Sequence, residues 1–217
     1  MNKCIVFDLD ETLGYFSQVY QVSKKFEELH NLKISKKAIL LLYKTFYNIF
    51  RPGIFTVLGY VKYLKDKYNI KVVLYTNSTM DIRWINAFVE YTETLIDLQF
   101  DTIINLNSGC RTSVKKTLVD LYSCTGYLKS ISKILVIDNN EHKLLKNDNV
   151  IFVLLKSFYY IYENVYLWQV LHKMYKYEII RPIQKNIVNK EYNKKLYDVS
   201  NEESLRVMDK IKQFVGK

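Results

Sequence analysis

Asp8 and Asp10 stand one residue apart at the end of a short apolar run, in the stretch CIVFDLDETLGYF that covers residues 4–16. Two carboxylates this close are costly to bury unpaired, so the spacing points to a bound cation or to a reaction that uses both acids. Acidic residues after a strand also cap the next helix, and the pair alone does not separate these readings. Three later segments end in groups that could complete a reaction centre. VVLYTNS delivers Thr76 and Asn77, SVKK offers the adjacent lysines Lys115 and Lys116, and VIDNN ends in Asp138 and Asn139. These hydroxyl, amide, ammonium and carboxylate groups would collect along one edge of a parallel sheet.

The elements that must position these residues can be read from periodicity. The runs before Asp8, Thr76 and Asp138 are apolar and rich in β-branched residues, as expected of strands buried on both faces. FDTIINL supplies a shorter strand and VIFVLL a fifth, with helices expected over 54–68, 81–98 and 113–122 between them. Strands alternating with helices predict an α/β fold with a doubly wound, mostly parallel, Rossmann-like sheet, whose carboxyl edge gathers the polar strand ends. Gly14 is expected to permit the sharp turn out of the site.

Residues 15–50 carry helical periodicity and no Pro or Gly, predicting a two-helix insert after strand 1, with Ser35 capping the second helix and the insert lying over or beside the mouth of the site. Arg51-Pro52-Gly53 is the sharpest punctuation in the chain and starts the next helix; Arg51 either contacts a substrate phosphate or anchors that turn. Beyond Ser157 the pattern reads as a helical extension with an aromatic stripe through Phe158, Tyr159, Tyr162, Tyr166 and Trp168, then a polar, basic loop over 185–195 and an amphipathic helix over 202–214. The expected organisation is a core over 1–157, including the cap-like insert at 15–50, and a carboxyl-terminal helical extension over 158–217 packed on it.

The 217 residues carry a formal net charge of +10, distributed as +2 over residues 1–110 and +8 over 111–217. That balance suits phosphate-bearing or acidic partners and leaves nucleic acid open, although a solvated basic surface is the commoner explanation. Cys4, Cys110 and Cys124 are widely spaced and odd in number, with no metal-ligand spacing, which predicts free thiols in a reducing, intracellular compartment, cytoplasmic or nuclear. The apolar run from Val150 contains Lys156 and Glu163, and the one at the amino terminus is too short for a signal peptide, so no membrane association is expected.

Taken in order, DLDET, YTNS, VKK and IDNN resemble the four motifs of the haloacid dehalogenase superfamily of phosphotransferases. The RPG before a helix and the wording of VVLYTNS and VIDNN are similar to its FCP/SCP-type, NLI-interacting-factor-like phosphatases, over roughly residues 3–157. The resemblance implies a Mg²⁺-dependent phosphatase working through an aspartyl-phosphate. Asp8 would be nucleophile and metal ligand, and Asp10 general acid and base, with its carbonyl a second ligand. Thr76, the Asn77 amide and Lys115 would hold the phosphate, with Lys116 as the alternative lysine, and Asp138 and Asn139 would complete the Mg²⁺ site. Thr12 would orient the loop or Asp10. Family members act on phosphoserine in proteins, and a phosphoserine or phosphothreonine protein is the expected substrate. The helical insert, where the family has strands, and the missing Arg-Glu stretch before the lysine also admit a nucleotide, a nucleic-acid end or another small phosphate ester. A non-catalytic binding protein on the same fold is the remaining reading.

Overall fold

The computed structural model describes residues 3–126, 133–177 and 190–216. Its centre is a five-stranded parallel sheet in the order β3-β2-β1-β4-β5. The strands are β1 (Lys3–Phe7), β2 (Lys71–Tyr75), β3 (Thr102–Ile104), β4 (Lys133–Asp138) and β5 (Val150–Leu154). The chain starts in the middle, builds to one side through β2 and β3, and then crosses to the other side through β4 and β5. The order therefore reverses at β1, and the crevice beyond the carboxyl ends of β1 and β4 is where such sheets place ligands.

Period-two side-chain alternation gives β1 two different faces. Ile5 and Phe7 point into the larger core, while Cys4 and Val6 join Val73, Tyr75, Val136 and Leu121 in a smaller core on the other face. Helices α1 (Ser17–His30), α2 (Lys36–Thr45), α3 (Ile54–Tyr68) and α4 (Ile82–Ile96) contribute to the larger core, together with α6 (Asn164–Tyr177) and α7 (Lys190–Val215). The smaller face is served by α5 (Leu118–Thr125). This is the doubly wound α/β architecture that the alternating pattern predicts.

Ser35 caps α2 as expected, its hydroxyl accepting from Ala38 N–H at 3.2 Å. The insert leaves and rejoins the core at one point: Tyr15 N–H donates to Ile49 O at 2.7 Å, and Arg51 N–H to Leu13 O at 2.9 Å. Phe16, Phe26, Ile39, Leu42, Tyr43 and Phe46 belong to the same core as β1, and Tyr43 Oη donates to Trp84 O at 3.0 Å across to α4. Gly14 is required here for space. A Cβ at this position would lie 2.5 Å from Ile49 O and 2.6 Å from Phe16 Cζ, whereas the left-handed backbone in this loop belongs to Glu11, at φ 61°.

Three expectations change. The aromatic stretch after Ser157 is extended before it becomes helical. Phe158, Tyr160 and Tyr162 are buried and Tyr159 and Ile161 exposed, a period of two, with lateral bonds from Phe158 N–H to Glu11 O and Tyr162 N–H to Gln18 Oε1; α6 begins only at Asn164. Residues 190–195, expected in a loop, open α7, and 185–189 lie outside the described residues. Finally, Cys110 and Cys124 form a disulfide, leaving only Cys4 as a free thiol. Their odd number and spacing concealed this because the pairing depends on how the chain returns along α5.

Candidate active site

β1 ends by placing Asp8 beside β4, with Asp8 N–H donating to Ile137 O at 3.0 Å. β4 ends in Asp138, so the two carboxylates stand at neighbouring strand ends across the crevice. Lys116 lies between them. Its Nζ donates to Asp8 Oδ1 at 2.5 Å and to Asp138 Oδ2 at 2.6 Å, and all three side chains are buried.

Lys115, the lysine chosen from the motif, is exposed and contributes only backbone: its N–H donates to Ser113 Oγ and its carbonyl accepts from Arg111. The expected helix over 113–122 begins at Leu118, capped by Thr117, whose hydroxyl accepts from Asp120 N–H and whose backbone is extended at φ −127°. Of the two adjacent lysines only Lys116 is buried and enters the crevice, while Lys115 stays exposed. Thr117 fixes which one, because Tyr75 Oη accepts from Thr117 N–H at 3.0 Å.

Asp10 is half-buried, its enclosed Oδ1 lacks a hydrogen-bond partner, and desolvation pushes its pKa up to about 6 against a hydrogen bond from Ser78. Burial also raises the Asp8 carboxyl, with Lys116 opposing it. Asp138 experiences the same burial, but bonds from His142, Lys116 and the Asn140 N–H outweigh it and hold the carboxyl below its ordinary value. Burial alone would lower Lys116; the two carboxylates reverse that and hold its ammonium above the ordinary value. Two carboxylates thus hold one buried ammonium, with the Asp10 carboxyl nearby but not bonded to it. The carboxylate oxygens of Asp8 and Asp138 at neighbouring strand ends are the kind of oxygen donors a hard divalent cation with few protein ligands takes, even though no cluster of three or more His, Cys, Asp or Glu occurs among the described residues.

Thr76 follows β2 at the same edge, with its N–H donating to Ile104 O and its hydroxyl accepting from Ser78 N–H. Asn77 Oδ1 accepts from Arg111 Nη2 at 2.9 Å. Arg111 also donates to Thr76 O, Ser113 O and Lys115 O, and its guanidinium lies over the Tyr75 ring. It therefore ties the Thr76–Asn77 corner to the lysine segment. Arg111 and His142 were missed in the sequence; a polar stretch just ahead of the lysines was the only signal for the first, and the spacing of four from Asp138 for the second.

Arg51, a candidate phosphate contact, is committed elsewhere. Its Nε donates to Thr12 O, and its Nη2 to Glu11 O and Lys156 O, at 2.6–2.7 Å, and the residue is buried behind the aspartate loop. It anchors the loop from below. Thr12 holds the same loop from the side, its hydroxyl donating to Asn139 Oδ1 and accepting from Asn139 N–H. Asn139 Nδ2 donates to Glu11 Oε2 and Ser157 Oγ, and a lone pair of Oδ1 remains for a ligand.

The family model for NLI interacting factor-like phosphatases matches residues 3–181 of the chain. No curated protein and no solved structure matches it significantly. No helix among the described residues is long and apolar enough to cross a membrane.

Proposed function

Because the chain belongs to the NLI interacting factor-like phosphatase family, a phosphatase on a haloacid-dehalogenase-like fold, we propose that it hydrolyses phosphate monoesters through an aspartyl-phosphate on Asp8. The observation that carries this reading is the buried ammonium of Lys116 held between Asp8 and Asp138 at the reversal of strand order. Lys116 brings positive charge to the transferring phosphoryl group and offsets the negative charge of Asp8. Asp8 attacks phosphorus, and Asp10, whose carboxyl desolvation raises to about 6 and so brings closer to the protonated form, gives a proton to the leaving oxygen. The carboxylate thus formed on Asp10 then takes a proton from the water that opens the acyl phosphate. The Thr76 hydroxyl and the Asn77 N–H supply donors for non-bridging oxygens.

Mg²⁺ fits the oxygen donors present: Asp8, Asp138, Asn139 Oδ1 and the Asp10 carbonyl would hold it, and when bound it supplies Lewis-acid neutralisation of phosphate charge. The substrate we assign is phosphoserine or phosphothreonine in a protein. Supporting this, the insert at 15–50 shares the main core and is braced on α4, so its packing is committed to the body of the domain rather than to enclosing a small substrate. The test is hydrolysis of an aryl phosphate and of phosphoserine peptides with and without Mg²⁺. Metal-dependent turnover of both supports the reading, and turnover of the aryl phosphate with none of the phosphoserine peptides would redirect the substrate assignment.

A further inference from the structure

The disulfide between Cys110 and Cys124 closes a segment of sequence separation 14 that contains both Arg111 and Lys116. Cys110 directly precedes Arg111, which bonds to Thr76 O and Asn77 Oδ1. Lys116, near the middle of the loop, bonds to Asp8 and Asp138. The far end of the loop lies in α5, an eight-residue helix that reaches the protein through the smaller core, where Leu121 is its fully buried apolar side chain. A helix this short is marginal without tertiary support. The cross-link therefore closes the charged segment onto α5, adding to the bonds of Arg111 to Thr76 and Asn77 and of Lys116 to Asp8 and Asp138. Other ties are the bonds of Thr112 to Asp120 and of Thr117 to Tyr75.

Both cysteines are half-buried and lie outside the catalytic residues, so a small thiol can reach them. Cys4 does not compete: it is fully enclosed in the sheet and burial pushes its thiol far up, away from thiolate. We infer that Cys110 and Cys124 are a redox modification site at which exchange with an external dithiol opens the loop bearing Arg111 and Lys116 and lowers phosphatase turnover. In the exchange, a thiolate of the dithiol bonds to one cysteine sulfur and displaces the other, which takes up a proton. The second thiol of the reductant then displaces the first cysteine. The protein disulfide gains two electrons and two protons, and the dithiol is oxidised to its own disulfide. Opening the loop restores its conformational freedom, and the site loses the alignment of Lys116 that two charge-assisted bonds require.

The inference rests on the phosphatase reading, so its test has a structural readout as well as a kinetic one. The 217-residue chain is compared in three forms, oxidised, reduced with dithiothreitol and Cys110→Ser/Cys124→Ser, with thiol state confirmed by alkylation and mass. Aryl phosphate turnover and amide hydrogen exchange over residues 111–117 are measured for each. Reduction should lower kcat by roughly ten- to a hundredfold and speed exchange in that segment, reoxidation should restore both, and the double variant should match the reduced form and ignore dithiothreitol. Equal turnover and equal exchange in all three forms would overturn the inference. If no form turns over, the phosphatase reading fails by itself, and faster exchange on reduction still decides whether the disulfide holds the segment.

Discussion

Lys116 Nζ stands 2.5 Å from Asp8 Oδ1 and only 0.1 Å farther from Asp138 Oδ2, so a single ammonium joins the ends of two adjacent parallel strands. Removing it leaves two buried carboxylates facing each other. Lys116→Met should lower kcat by roughly 10²–10³, while Lys115→Ala should stay within about twofold of the parent because its side chain is solvated. The same kinetic assay on both variants decides it; a large loss in Lys115→Ala with normal activity in Lys116→Met would reverse the assignment.

Arg51 separates a structural role from a substrate role. With its donors on Thr12, Glu11 and Lys156 carbonyls, Arg51→Ala should cost at least about 2 kcal/mol of stability through buried carbonyls left unpaired. Urea unfolding reads this directly. A variant of unchanged stability with a raised KM would instead place Arg51 on the substrate.

The close approach at Gly14 predicts that Gly14→Ala destabilises the protein by about 1–3 kcal/mol, since Ile49 O is backbone and cannot step aside cheaply. Thermal or urea unfolding checks it, and a neutral result would mean that the entrance to the insert is more pliable than the geometry shows.

Asp101 gives the clearest pH dependence of stability. Burial would raise its carboxyl, but bonds from Lys65, Val72 N–H and Lys71 outweigh that and hold the pKa below its ordinary value. A folded pKa below the unfolded one means that the stabilisation is fully present above the unfolded carboxyl pKa. It fades as pH falls toward the folded value. Asp101→Asn should therefore be less stable than the parent at pH 7, with the gap narrowing on acidification below about pH 4. A gap independent of pH would remove Asp101 from this role.

Much of this arrangement was legible in the chain because apolar strands announce themselves and their last residues mark the edge of the sheet. Asp8, Thr76 and Asp138 all lie at such ends, and the alternation of strands and helices gave the architecture. The choice between Lys115 and Lys116 was not legible, since it depends on how the chain approaches α5 at Thr117, which Tyr75 holds from another strand. Arg51 was ambiguous for a similar reason: its carbonyl partners belong to segments 40 and 105 residues away. The aromatic stretch at 158–162 was misread because α6 follows it directly and supplied the helical spacing. The Cys110–Cys124 pairing required the path of the loop, and sequence spacing carries no record of that.

The most direct measurement on the central claim is trapping of the phosphoenzyme. Acid quenching during turnover of a radiolabelled phosphate ester should yield a hydroxylamine-sensitive label that maps to Asp8, absent from Asp8→Asn, which should fold normally and not turn over. Turnover persisting in Asp8→Asn, or a label on another residue, would contradict the account.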